Sequence, residues 1–265
     1  SPNNLMSENF DPNQNHYFFN KKDSIPLVFI HGVGLDLQMW QQQVNYLDEF
    51  SILTYDLIGH GKTPCYKDKL TLKDFSNQLL EILDYLKIEK INLVGFSLGS
   101  LIALDFCSHF QEKIEKLILI GTTYKRTGQE KSLVLDRYNQ AKLNKPLSKQ
   151  ALKRWFSDKY LEKNPKTYDL FMNILNKKPE DYKNFLKAYE LFANHKDDVT
   201  NIQKINRKTL VMTGSDDPGS SPAMSKKLVK DLINSSYIEI KYGKHLCSIE
   251  CADDVNINIK NFINY

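Results

Sequence analysis

A chain of 265 residues, 41% hydrophobic and 26% charged, has the composition of a soluble globular protein and room for one large α/β domain or a domain with an insertion. The formal charge of +4 is mild; lysines are scattered among acids, arginine occurs only at 126, 137, 154 and 207, and no basic stripe speaks for nucleic acid. No run approaches ~18 apolar residues, and Ser1 to His16 lacks the regions of a signal peptide, so no membrane partner is expected and the cytoplasm is the expected location. Cys65, Cys107, Cys247 and Cys251 show no C-x-x-C pairing, so free thiols and no metal site are expected, with Cys107 and Cys247 as core.

Residues 1–15 are rich in Asn, Gln, Pro and Asp and read as a loosely held lead-in; Met6 is a candidate start, which would leave 1–5 a cloning remnant. His16 to Phe19 reads as a strand, and Leu27 to Ile30 as a buried one that ends at His31-Gly32-Val33-Gly34. Helical spacing over Leu37 to Phe50 is followed by strand Ile52 to Tyr55 and the loop Asp56 to Gly61. Thr71, with Asp74 three residues on, starts a long helix. Ile91 to Val94 is a strand, Ser100 to Phe110 a helix, and Leu117 to Ile120 a strand. Apolar strands alternating with amphipathic helices imply a parallel sheet covered on both faces.

From Tyr124 to about Asn201 the strand rhythm breaks. Helices are expected at 131–144, 148–162, 165–177 and 179–195, near Pro146, Pro165 and Pro179. The segment is rich in aromatic residues, most of which are expected to pack its own helices, with a few facing the site beneath. Strand Thr209 to Thr213, helix Pro222 to Ile233, strand Tyr237 to Ile240 and a helix from Ala252 to Ile263 complete the chain. The division expected is a core of 16–123 and 202–265 with an insertion of 124–201.

Gly95-Phe96-Ser97-Leu98-Gly99 joins a buried strand to a helix, the context in which G-x-S-x-G becomes a nucleophile elbow. A serine hydroxyl needs a base, and an imidazole needs an acid to orient it. His245, and Asp216 or Asp217, follow Ser97 in the order such an elbow expects, each after a strand. Ligands collect at that edge of a doubly wound sheet. The N–H groups of Leu98 and Val33 are the candidate oxyanion donors. His31 and His60 read as loop-holding residues, and Asp56 as a tie within its own loop. No G-x-G-x-x-G follows Gly32-Val33-Gly34, so no nucleotide is expected.

Five pieces in order then resemble the α/β-hydrolases that include 3-oxoadipate enol-lactonases, carboxylesterases and meta-cleavage-product hydrolases. They are His31 to Gly34, Tyr55 to Gly61, Gly95 to Gly99, Leu210 to Pro218 and Gly243-Lys244-His245. The resemblance implies an α/β-hydrolase fold with a mostly parallel sheet, helices on both faces and an inserted helical cap at 124–201. Its G-x-x-D pattern from Gly214 selects Asp217. Ser100 departs from the glycine that often follows the elbow. A serine hydrolase acting on small esters or lactones is expected, with Ser97, His245 and Asp217 as triad and no cofactor. Expected pocket residues are His31, Gly32, Phe96, Tyr124, Trp155 and Leu246. Two other activities stay open: a C–C bond hydrolase, which would want a cation from Arg126, Arg137 or Arg154 for a substrate carboxylate, and a triad-bearing receptor with little turnover. Serine rather than aspartate at 97 disfavours a dehalogenase or epoxide hydrolase.

Overall fold

The computed structural model describes residues 9–144 and 148–265; the start of the expected lead-in, Met6 included, and Pro146 lie outside them. Eight strands form one sheet: β1 (Asn9–Phe10), β2 (His16–Asn20), β3 (Leu27–Ile30), β4 (Ile52–Tyr55), β5 (Ile91–Phe96), β6 (Ile114–Ile120), β7 (Lys208–Gly214) and β8 (Ser235–Ile240). Their order is β1-β2-β4-β3-β5-β6-β7-β8. The β1–β2 and β2–β4 pairs are antiparallel and all the others parallel. The chain steps from β3 outward to β4, then returns to the other side of β3 as β5. That reversal opens a crevice at the carboxyl ends of β3 and β5, where doubly wound sheets bind ligands.

The period of two along each strand divides the core. Val28, Ile30, Leu93, Leu117, Leu119 and Val211 pack with the helices Leu72–Leu86, Leu98–His109 and Pro222–Asp231. Leu27, Phe29, Val94, Phe96, Ile118, Ile120, Leu210 and Met212 face Trp40, Val44, Val255 and Ile259, from the helices Leu37–Trp40, Gln41–Tyr46 and Ala252–Asn264. Strands apolar on both faces thus acquire helices on both faces. Among the described residues no helix is long and apolar enough to cross a membrane.

Several expected boundaries move. Residues 9–15 are built into the sheet edge: Asp11 accepts hydrogen bonds from the Asn13 and Asn15 N–H groups and the Asn15 amide, and β1 pairs with β2. The polar composition there encodes an Asx turn, not a loose tail. The 148–162 helix is two, Ser148–Trp155 and Asp158–Lys163, because Ser157 turns outward to cap the second and to bind Glu250. Helices Gly128–Lys142, Pro165–Leu175, Pro179–Asn194 and Val199–Gln203 complete the stretch between β6 and β7.

Asp56, buried at the end of β4, accepts the Leu37 and Lys62 N–H groups at 2.9 Å each and pairs with His16 Nδ1 at 2.6 Å. Asp56→Ala strands that imidazole and two amides, a loss of about 3–5 kcal/mol of stability. Thr71→Ala removes the reciprocal cap with Asp74 at the exposed start of a helix and costs about 1 kcal/mol. Urea unfolding midpoints should rank the two variants in that order.

Candidate active site

β5 ends at Phe96 and its helix starts at Leu98, so Ser97 alone turns the chain, at φ 54° and ψ −115°. A non-glycine residue held there costs about 1–3 kcal/mol. Burial on both sides more than offsets it: Leu93, Val94, Leu98, Leu101 and Ile102 are all buried, each contributing about 1.5–3 kcal/mol. A Cβ on Gly95 would overlap the Gly99 carbonyl, and one on Gly99 would overlap the carbonyls of Ile30 and His31. The helix start is therefore pressed against the end of β3. The Ser97 N–H donates to the Ile120 carbonyl at 3.0 Å, while the Ser100 N–H and hydroxyl both donate to the Ser97 carbonyl. Serine at 100 thus has a use that glycine would not.

The loops after β7 and β8 meet beside Ser97. The Ser215 N–H donates to the Ile240 carbonyl and the Asp216 N–H to the Gly243 carbonyl, each at 2.8 Å. The Asp216 side chain is left exposed and Asp217 is turned inward. Asp217 Oδ2 lies 2.7 Å from His245 Nδ1, and its Oδ1 accepts the Gly219 and Ser220 N–H groups at 3.1 and 3.0 Å. The carboxylate is saturated on both oxygens and aimed at one ring. The His245 ring also packs on Phe96, centroids 4.7 Å apart.

The loop after β3 is tied from below. His31 Nδ1 donates to the Gly32 carbonyl at 2.8 Å, and its Nε2 accepts the Leu57 N–H at 2.9 Å. His60 Nδ1 donates to the Ile58 carbonyl, and its Nε2 accepts the Gly34 N–H, both at 3.0 Å. Burial pushes His31 down to about 4, against the pull of Asp56, and pushes His60 well below the usual histidine range, helped by His31 and Lys177.

Ser97 and His245 line a cavity of about 1150 Å³. Its floor includes Gly32, Val33 and Phe96; its walls include Trp155, Met172, Tyr182, Phe185, Tyr189 and Phe192 from the helices after β6. Arg137, Arg154, Lys142, Lys149, Lys177 and Lys183 also line it, against one acid, Asp217, among the described residues. Arg137 and Arg154 have no hydrogen-bond or ion-pair partner among the described residues. Burial, and then Arg137, lower the Arg154 pKa. Among the described residues no cluster of His, Cys, Asp and Glu is placed to hold a metal ion.

A family model described as the alpha/beta hydrolase fold matches residues 25–250. The chain belongs to the alpha/beta hydrolase fold family. An (E)-2-((N-methylformamido)methylene)succinate hydrolase of Acinetobacter baylyi is similar to this alpha/beta hydrolase at 26% identity, over 92% of each chain. A 3-oxoadipate enol-lactonase 2 of the same organism is 24% identical over 89% of this chain and 87% of its own. The crystal structure of an enol-lactonase from Burkholderia xenovorans shares the fold, with a TM-score of 0.87 at 24% identity over 95% of this chain and 96% of that one.

Of the expected pocket residues, Gly32, Phe96 and Trp155 line the cavity of this hydrolase, whereas His31, Tyr124 and Leu246 lie outside its lining. His31 lies under its loop with both ring nitrogens engaged. Tyr124 turns away to donate to the Asp231 carboxylate, and Leu246 is fully buried in the core. Arg126 is also removed from the cavity, donating to the Phe192 carbonyl at 2.9 Å with its guanidinium 4.5 Å from that ring. Lys177, Phe185 and Gly219 join the lining without a distinctive sequence signal. Asp217 did carry one, since Asp-Pro-Gly-Ser is an Asx-turn sequence.

The His245 loop is also stitched to the helices above. Leu246 N–H donates to the Trp155 carbonyl at 3.0 Å, Lys244 Nζ to the Lys153 carbonyl at 2.6 Å, and Ser157 hydroxyl to Glu250 at 2.6 Å.

Gly99→Ala should cost about 3 kcal/mol or more, because the atoms it meets are backbone and cannot yield. Gly128→Ala, at a helix start with nothing within 4 Å, should gain about 0.4–1 kcal/mol. Urea unfolding monitored by circular dichroism measures both.

Proposed function

We propose that this chain is a serine hydrolase that cleaves esters or lactones through an acyl-enzyme. One observation carries the reading: Ser97, on a strained turn, shares a cavity with His245, whose Nδ1 is held 2.7 Å from the buried Asp217. With Nδ1 engaged, Nε2 is the nitrogen left to take the Ser97 proton as Oγ attacks the carbonyl. Asp217 orients the ring and balances its charge while protonated. The new oxyanion is taken by the Leu98 N–H, free at the helix start, and by the Val33 N–H. His245 then protonates the leaving alcohol, and water activated by the same ring releases the acid. The helices of 124–201 act as a cap over this chemistry.

Arg137 and Arg154 favour a carboxylate-bearing substrate within this class. Two cations without acidic partners among the described residues, in a cavity that also presents Trp155, Phe185 and Tyr189, suit an anion with an apolar spacer. Two relatives are named for a substituted succinate and for 3-oxoadipate, which supports that choice. C–C bond cleavage of a vinylogous acid is the second reading, since the same arginines would serve it.

A panel of neutral p-nitrophenyl esters, monoesters of dicarboxylic acids, an enol-lactone and one meta-cleavage acid tests both. Ser97→Ala should lower ester turnover by at least about 10³-fold. Arg137→Gln and Arg154→Gln should each raise KM for the monoester about tenfold to a hundredfold and leave neutral esters unchanged. Undiminished turnover by Ser97→Ala would remove the acyl-enzyme; an equal effect on both ester types would remove the anion site.

A further inference from the structure

We infer that His60, with His31 beside it, is a positioning residue for the oxyanion site: the two rings fix the peptide that carries the Val33 N–H. The inference rests on the reading of Val33 as an oxyanion donor. It concerns what holds a glycine-flanked loop, intrinsically poor at holding any one conformation, in the single orientation that reading requires.

The geometry follows from one peptide plane. The Gly32–Val33 bond is trans, as are all the described peptide bonds, so the Gly32 carbonyl and the Val33 N–H point in opposite directions. The Gly32 carbonyl is pinned below by His31 Nδ1–H at 2.8 Å and by the Leu35 N–H at 3.2 Å. The Val33 N–H must then face the other way, toward the cavity that Val33 lines. On the far side of Val33, the Gly34 N–H is pinned by His60 Nε2 at 3.0 Å. Rotation of the Val33 peptide therefore breaks hydrogen bonds on both flanks.

The rings are themselves held. Carbonyls only accept and backbone amides only donate, so both imidazoles carry their proton on Nδ1 and present a lone pair on Nε2. Each ring nitrogen of the pair is used: Leu57 N–H to His31, Ile58 carbonyl to His60, and the two loop contacts above. The rings lie 5.2 Å apart, both buried. A charged ring would set an N–H against the Leu57 or Gly34 amide, so the brace works only with neutral histidines. Its outer anchors, Leu57 and Ile58, belong to the loop after β4, and the Asp56 beside them grips the Leu37 N–H beyond the oxyanion loop.

The test compares wild type with His60→Leu, which offers Gly34 no acceptor, His60→Gln, whose amide oxygen can reach it, and His60→Asn, whose amide is too short. Each is assayed for ester kcat and KM and for inhibition by a trifluoromethyl ketone matched to that ester, which forms the tetrahedral oxyanion adduct. His60→Leu and His60→Asn should lose about 100-fold in kcat, the scale of a misplaced catalytic contact, with KM within about twofold. Ketone affinity should fall by the same factor as kcat/KM, and His60→Gln should recover most of both. Should His60→Leu fail to fold, the Asn and Gln pair carries the comparison. Folded variants with wild-type kcat and ketone affinity would overturn the inference, as would a loss confined to KM or a kcat loss without a loss of ketone affinity. A wild type that neither turns over esters nor binds the ketone would instead remove the hydrolase reading itself, an outcome distinct from losses limited to position 60.

Discussion

The molecule depends on a close approach of backbone to backbone. The first turn of the helix after β5 is seated against the last carbonyls of β3, and no side chain fits between them. That contact fixes three things at once. It forces the turn at Ser97 into a conformation that only heavy burial around it sustains. It brings the free N–H groups of a helix start beside the loop 32–34. It also locks the helix start onto β3, the strand that pairs directly with β5.

Polar groups in this region are satisfied in a graded way. Asp56 and Asp217 are each saturated, with backbone donors and one histidine apiece. A buried carboxylate without such partners would cost several kcal/mol, so these two acids fix their loops wherever they occur. Arg137 and Arg154 are the opposite case: half-buried cations with no hydrogen-bond or ion-pair partner among the described residues. Long flexible cations on the wall of a large cavity keep some hydration, which lowers that cost. The cavity is thus rigid around Asp217 and His245 and under-compensated in charge around Arg137 and Arg154.

The fold was largely legible in the sequence because its strands are apolar on both faces, a pattern that admits little but a parallel sheet with helices on each side. Val94 and Leu93 point to opposite layers, yet both had to be apolar. Ser97 stood out because glycine at 95 and 99 has a steric cause. The pocket was less legible. Tyr124 and Trp155 are both expected pocket residues, yet one bonds Asp231 and the other faces the cavity. Periodicity assigns faces to a helix but does not orient a helix relative to a site it meets only in tertiary structure. Asp11 shows the converse failure: a polar, proline-containing stretch looked loose because its order comes from side-chain hydrogen bonds, which leave no hydrophobic trace.

The stitches between 153–157 and 244–250 have a mechanical consequence. The strip that bonds the His245 loop through Lys153, Trp155 and Ser157 also presents Arg154 and Trp155 to the cavity. Recognition and proton transfer, on the reading above, therefore share one mechanical part. The later helices line the cavity without a hydrogen bond to that loop among the described residues, so a backbone shift in 153–157 is passed to the imidazole more directly than one in 165–194. Replacing the insertion without 244–250 would forfeit these three hydrogen bonds, so the mechanical unit here runs across the sheet edge and not along the chain.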